Sequence, residues 1–258
     1  MKKWILIGCG ALVIIIVVVL ILGISNLGPI IKEAVNTHGP GITKTELRLG
    51  DVGISIFSGE AKLKDFHMGN PRGFQSASAM DVGSIYVDLD EGSLTGDTII
   101  IDRVEVVGPE ITYEKAGIID NFKAIINNVK RSVGAGGPSK KKQPEKKEGG
   151  DKKFLIRNFI LKSGKVNLAL SIPGGKSITA ELPDIHLKDV GKENGGASAA
   201  EVFEQVLAAI YKEITSSDVT DVLNKELKSL GLDLDEIGKG VPKSLKPLTE
   251  KIKGLFGK

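Results

Sequence analysis

The chain reads as an α+β protein: an N-terminal transmembrane helix, then a twisted, mainly antiparallel β-sheet with flanking helices and C-terminal amphipathic helices. Three observations predict this. Residues 4–22, WILIGCGALVIIIVVVLIL, carry no charge and no proline. Apolar residues then alternate with polar ones at a period of two from Ile42 to Glu114 and again from Phe154 to Val190. From Ser198 onward apolar residues recur at steps of three and four, the spacing of an amphipathic helix.

The first stretch is long enough to span a bilayer, since about 20 helical residues cover roughly 30 Å. Lys2 and Lys3 precede it and no charge follows until Lys32 and Glu33. That asymmetry places the N-terminus in the cytoplasm and the bulk of the chain across the membrane. A cleaved signal peptide fits less well, because the apolar run is long and Gly23-Ile24-Ser25 is a poor cleavage site. Leu6-Ile7-Gly8-Cys9 imitates a lipidation box, but the apolar run continues past Cys9. Cys9 is the only cysteine, so no internal disulfide can form.

Composition divides the chain into an anchor at 1–24, a β-rich part at 25–132, a Lys/Gly-rich linker at 133–153, and a second strand block with C-terminal helices at 154–258. Pro29 opens a short helix that presents Ile30, Ile31, Ala34 and Val35 on one face and ends at Gly39-Pro40. The strands that follow share a pattern, apolar at i, i+3 and i+5. It occurs as Leu49/Val52/Ile54, Leu63/Phe66/Met68, Val82/Ile85/Val87, Ile101/Val104/Val106, Ile156/Phe159/Leu161 and Leu182/Ile185/Leu187. A slip of phase inside a strand is what a β-bulge produces, so the pattern predicts repeated, bent strands; an ordinary half-buried sheet is the alternative. Ile118 to Val129 reads as a helix with Ile118, Phe122, Ile125, Ile126 and Val129 inward.

Lys140-Lys141-Lys142 and Lys146-Lys147 lie among glycines, which favours a solvated linker over a patch for anionic lipid headgroups. Ser198-Ala199-Ala200-Glu201 is a capping box opening one helix, and Asp218 to Leu230 forms the next. The tail repeats Ile237, Val241, Leu245, Leu248 and Ile252 between lysines, and Pro242 and Pro247 bend it. Such a segment covers the open end of a sheet or lies on a membrane surface, and the prolines favour covering.

The chemistry of catalysis is missing from the sequence. His38, His67 and His186 lie in different elements and show no metal-ligand spacing. Gly175-Lys176-Ser177 resembles the end of a phosphate-binding loop, but Leu170 stands where its first glycine belongs. A net charge of +3, set by lysine clusters, does not suggest nucleic acid. No enzyme, no cofactor and no metal are expected.

Several segments together resemble the AsmA family. They are Gly50-Asp51-Val52, Gly69-Asn70-Pro71-Arg72-Gly73-Phe74, Ile85-Tyr86-Val87-Asp88-Leu89, Gly108-Pro109-Glu110-Ile111-Thr112-Tyr113, Ile160-Leu161-Lys162-Ser163-Gly164-Lys165-Val166 and Leu182-Pro183-Asp184-Ile185. The resemblance implies a single-pass inner-membrane anchor and a periplasmic sheet curled into an apolar trough. It further implies roles in phospholipid transport or outer-membrane and cell-envelope maintenance, with membrane lipids and envelope proteins as partners. Val52, Ile54, Val87, Ile101 and Leu168 are then the candidate lipid-facing residues. The rival expectation is a structural adaptor that recruits an envelope complex and binds no lipid.

Overall fold

The computed structural model describes residues 27–55, 58–116, 118–134, 152–169 and 178–229. Four α-helices lie among them: α1 (Leu27–Thr43), α2 (Asn121–Gly134), α3 (Ala199–Ile214) and α4 (Ser217–Ser229). The strands are β1 (Leu47–Arg48), β2 (Asp51–Ser55), β3 (Glu60–Gly69), β4 (Ser78–Leu89), β5 (Thr98–Val107) and β6 (Glu110–Tyr113). A small hairpin follows, β7 (Lys115–Ala116) with β8 (Ile119–Asp120). Then come β9 (Lys153–Lys162), β10 (Gly164–Leu168), β11 (Ile178–Leu182) and β12 (Ile185–Val190).

All strands except the β7–β8 hairpin belong to one ten-stranded sheet. Its short strands are pieces of longer ones. Ser84 opposite Val107 and Asp81 opposite Glu110 belong to a single alignment of β4 with β5 and β6. The same holds for β9 and β10 beside β5 and β6, and for β12 and β11 beside β9 and β10. The sheet therefore has six ribbons, in the order β1/β2, β3, β4, β5/β6, β9/β10, β12/β11.

Two lines of interruption cross these ribbons. On the first, the register sets Gly50, Asp65, Gly83, Gly108, Ser163 and Pro183 side by side. On the second lie Gly59, Leu89, Asp102, Arg157 and Asp189, each six residues along its ribbon from the first. Asp65, Gly108 and Ser163 on the first line, and Gly59 and Asp189 on the second, have positive φ between 53° and 65°. A left-handed residue rotates the strand so that the next side chain lands on the face where alternation would not put it. Leu63 and Phe66 straddle the left-handed Asp65 in this way, and the other i, i+3, i+5 repeats straddle the same two lines at residues without positive φ. Val82 and Ile85, Ile101 and Val104, and Ile156 and Phe159 flank the breaks and stay on one apolar face.

That face carries the core. α1 lies on β1 and β2, α3 on β9 and β12, and α4 on β11, while α2 packs on α3. Phe122, Ile125 and Val129 of α2, Leu207, Ile210 and Ile214 of α3, and Val219, Leu223 and Leu227 of α4 are buried with Met68, Met80, Ile111, Leu161, Val166 and Leu168 of the sheet. The other face is a lattice of charges, with Lys64 to Asp51 at 3.7 Å, Arg103 to Asp88 at 3.2 Å and Lys162 to Glu105 at 2.5 Å. Exposed pairs of this kind stabilise by about 1 kcal/mol at most. They keep the outer face soluble rather than holding the fold.

Four expectations need correction. The sheet is mixed, not mainly antiparallel: β9 runs parallel to β5 and β10 parallel to β6. The connection between β6 and β9 contains α2, and a helical crossover returns the chain in the same direction. Among the described residues no helix is long and apolar enough to cross a membrane. Residues 1–24, on which the transmembrane helix rested, lie outside them, so the described structure gives the single-pass, inner-membrane and periplasmic assignment no support.

The third correction concerns α1, which runs through Gly39-Pro40 to Thr43. Ile30 is 58 % exposed and Ile31 39 %, and Ala34 is exposed too, so of the expected apolar face only Val35 packs against the core. The glycines face the sheet instead. A Cβ on Gly28 would stand 2.2 Å from the Val52 carbonyl oxygen, and one on Gly39 2.4 Å from the Leu47 side chain. Asn36 completes the clamp by accepting from the Leu49 amide at 2.7 Å. The last is Ile118, which belongs to the β7–β8 tip and is fully exposed at 102 %, because α2 starts only at Asn121. The Ser198–Glu201 capping box is present as expected. The lysine run between residues 135 and 151, Gly175-Lys176-Ser177 and the tail beyond Ser229 lie outside the described residues.

Candidate functional site

The register converts the apolar face into rows. Ile54, Ala61, Val87, Val104, Phe159 and Leu187 lie opposite one another in turn across the six ribbons. The next row is Val52, Leu63, Ile85, Val106, Leu161 and Ile185. A third, beyond the first line of breaks, is Leu47, Met68, Met80, Ile111, Val166 and Ala180. Such cross-strand apolar pairs add roughly 0.2–1 kcal/mol each, so the rows hold the ribbons in register.

Cover over these rows is graded. Every member of the third row is buried. In the first row only Phe159 is buried, and Ile54, Ala61, Val87 and Val104 are half-buried. Ile85, Ile101 and Val104 still pack against the core. Ile54, Ala61, Leu63, Val87, Leu89 and Ile99 share the same face, are half-buried, and lie outside the packed core. Together they form a contiguous apolar patch over β2 to β5, at the end of the sheet farthest from α2. Three interstrand spacings make it roughly 14 Å wide.

The five residues singled out from the sequence separate on this geometry. Ile54 and Val87 are in the patch, in one row with only Ala61 between them. Ile101 is at its rim, half-buried against the core. Val52 (8 % exposed) lies under α1, and Leu168 (1 %) belongs to the core beside β11. Ala61, Leu63, Leu89 and Ile99 join Ile54 and Val87 in the patch. Leu63 is marked in the sequence by its i, i+3, i+5 repeat and Leu89 by its alternation with Ile85 and Val87, whereas Ala61 and Ile99 join through cross-strand register.

Two of the histidines and the buried Asp120 are engaged in structural contacts. His67 Nδ1 lies 2.6 Å from Asp81 Oδ1 on the charged face, and His186 Nε2 3.2 Å from Asn158 Oδ1. Asp120 accepts from the Lys123 amide at 2.7 Å at the start of α2, and its other oxygen accepts from the Tyr211 hydroxyl at 2.9 Å. Burial first, then the Asp120 charge, pushes the Tyr211 hydroxyl up to about 12 and raises that of Tyr113 as well. Among the described residues no group of three or more His, Cys, Asp or Glu could hold a metal ion.

No family model matches the chain, and no curated protein matches it.

Proposed function

We propose that this is a lipid-handling domain of AsmA type, in which the patch of Ile54, Ala61, Leu63, Val87, Leu89 and Ile99 receives phospholipid acyl chains. The observation that supports it is the uneven cover of a single apolar face, closed by helices over one end and left half-open over the other. Contiguous apolar surface of that kind is uncommon unless it meets an apolar partner. Each methylene removed from water contributes about 0.8 kcal/mol, so some eight acyl carbons on the patch would supply roughly 6 kcal/mol before the cost of association. The charged lattice on the opposite face gives acyl chains nothing to hold, which makes binding one-sided. Four of the six breaks on the first line, Gly50, Gly108, Ser163 and Pro183, fall within the segments that carry the AsmA resemblance, and Asp65 and Gly83 fall outside them.

A charge on the patch separates this reading from an adaptor that binds no lipid. Val87→Asp should keep the circular dichroism of the wild type and lose co-purifying phospholipid measured by mass spectrometry. Leu161→Asp, at a fully buried position in the next row, should unfold because its charge has no partner. A folded Val87→Asp protein with undiminished lipid removes the patch as the binding surface. A folded wild type carrying no lipid points to the adaptor.

A further inference from the structure

The second feature is at the other end of the sheet. A cleft of about 740 Å³ opens between the β3–β4 loop, the end of α1 and the outer side of α2. Lys44, Arg72 and Arg131 line it, against a single carboxylate, Glu46. Glu46 is already held by Arg48 at 2.7 Å. Among the described residues neither Lys44 nor Arg72 has an ion-pair partner. Arg131 is fixed by its own helix, Nε donating to the Asn127 carbonyl at 3.2 Å and Nη2 to Asn128 Oδ1 at 2.5 Å, and these bonds leave its charge uncompensated. Phe74 and Ile119 add an apolar wall.

The loop that carries Arg72 is built rather than merely long. Residues 70–77 join two adjacent antiparallel strands, a task that two to five residues usually accomplish. Glu114, only 7 % exposed, accepts from the amides of Gln75 at 2.6 Å and Ser76 at 2.8 Å, and from the Ser76 hydroxyl. Asn121, fully buried at the start of α2, donates to Asn70 Oδ1 at 2.8 Å and to the Thr112 carbonyl at 2.7 Å. Asn70 in turn donates to the Ser76 and Ser78 carbonyls at 2.8 and 3.0 Å. A buried carboxylate and a buried amide, with half-buried Asn70 between them, fix this surface loop and place Arg72 in advance of any ligand, as a binding loop requires.

We propose that this cleft binds a phosphate ester, with Arg72, Lys44 and Arg131 neutralising its oxygens and Phe74 and Ile119 meeting its carbon portion. Guanidinium groups match phosphate oxygens in pairs, and three cations against one engaged carboxylate suit an anionic phosphate group. The site goes beyond the acyl-binding patch and does not depend on it. From Leu63, the nearest patch residue on β3, to Asn70 at the cleft is seven residues, roughly 23 Å, so the two sites are separate places on the sheet.

The phosphate ester has two possible sources, a lipid headgroup or a soluble metabolite, and the test distinguishes them. The full chain, kept in a phosphate-free sugar detergent, is titrated with glycerol 3-phosphate while amide NMR shifts are followed. It is also floated with vesicles of phosphatidylcholine alone or mixed with phosphatidylglycerol. Shifts at Lys44, Arg72 and Arg131 are expected, with about tenfold weaker binding in Arg72→Ala, part of it restored by Arg72→Lys. Flotation that falls in Arg72→Ala assigns the site to headgroups, and flotation that the variant leaves unchanged assigns it to soluble esters. Arg72→Ala and Arg131→Ala should both keep wild-type circular dichroism, since neither side chain is part of the core. If glycerol 3-phosphate moves no cleft amide, and neither variant alters flotation, the proposal is overturned.

Discussion

Replacing Glu114 tests whether a buried carboxylate holds the β3–β4 loop. Glu114→Ala leaves the amides of Gln75 and Ser76 and the Ser76 hydroxyl without their acceptor. An unsatisfied buried donor costs about 1–3 kcal/mol, but Gln75 is exposed and its amide can turn to water. The Ser76 groups cannot do so without moving Asn70, whose side chain bonds both the Ser76 carbonyl and hydroxyl. A loss of about 2–4 kcal/mol follows, which for a domain of this size lowers the thermal midpoint by roughly 5–15 °C. Glu114→Gln keeps one acceptor oxygen and should lose about half as much. Thermal melts give the midpoints, and hydrogen exchange should speed up at Gln75 and Ser76 while the third apolar row stays protected. A Glu114→Ala protein within about 0.5 kcal/mol of wild type, with unchanged exchange in the loop, would refute the reasoning.

Two further outcomes follow from named contacts. Gly28→Ala sets a methyl group 2.2 Å from the Val52 carbonyl oxygen, so α1 must lift from β2; chemical denaturation should show a loss of about 1–3 kcal/mol, whereas Gly41→Ala, with nothing within 4 Å, should lose none. The Tyr211 and Tyr113 hydroxyls keep their protons in the folded chain beyond the ordinary value of 10.0. Their contribution to stability is complete below pH 10 and is lost as pH rises toward 12 and above, because the unfolded chain ionises first. Denaturation midpoints followed from pH 8 to 12 should therefore fall above pH 10, and Tyr211→Phe should flatten the fall. A curve unchanged by that substitution would remove Tyr211 from the effect.

The strand breaks were legible in the sequence because a phase slip leaves a trace in apolar spacing. Leu49/Val52/Ile54, Val82/Ile85/Val87 and Leu182/Ile185/Leu187 each straddle a residue on the first line of breaks, and Ile101/Val104/Val106 and Ile156/Phe159/Leu161 straddle the second. Strand direction leaves no such trace. A half-buried strand alternates identically beside a parallel or an antiparallel neighbour, so the pairings of β5 with β9 and β6 with β10 could not be read. Ile118 misled for a related reason: it continues the three-four spacing of Phe122 and Ile125, yet Asp120 takes the Lys123 amide and starts the helix after it. The outward turn of Ile30 and Ile31 in α1 arises from glycine. Apolar spacing marks Ile30 and Ile31, but the Val52 carbonyl and the Leu47 side chain admit only Gly28 and Gly39 at close range. As for the candidate site, strand alternation identified the face of Val52, Ile54, Val87, Ile101 and Leu168. Which of them are covered depends on where α1 and α4 lie, and the strands themselves do not encode that.

The central claim is that one face of the sheet holds acyl chains at β2 to β5 and the other face does not. Tyr86 and Val87 are neighbours in β4 that point to opposite faces, Tyr86 under the Lys62 ammonium at 4.9 Å and Val87 between Ala61 and Val104. A benzophenone amino acid at each position, irradiated in the full chain reconstituted with phospholipid, reads the two faces one residue apart. Lipid adducts detected by mass spectrometry at position 87 and absent at position 86 are the predicted result. Adducts at neither position, or equally at both, would contradict an acyl-binding face.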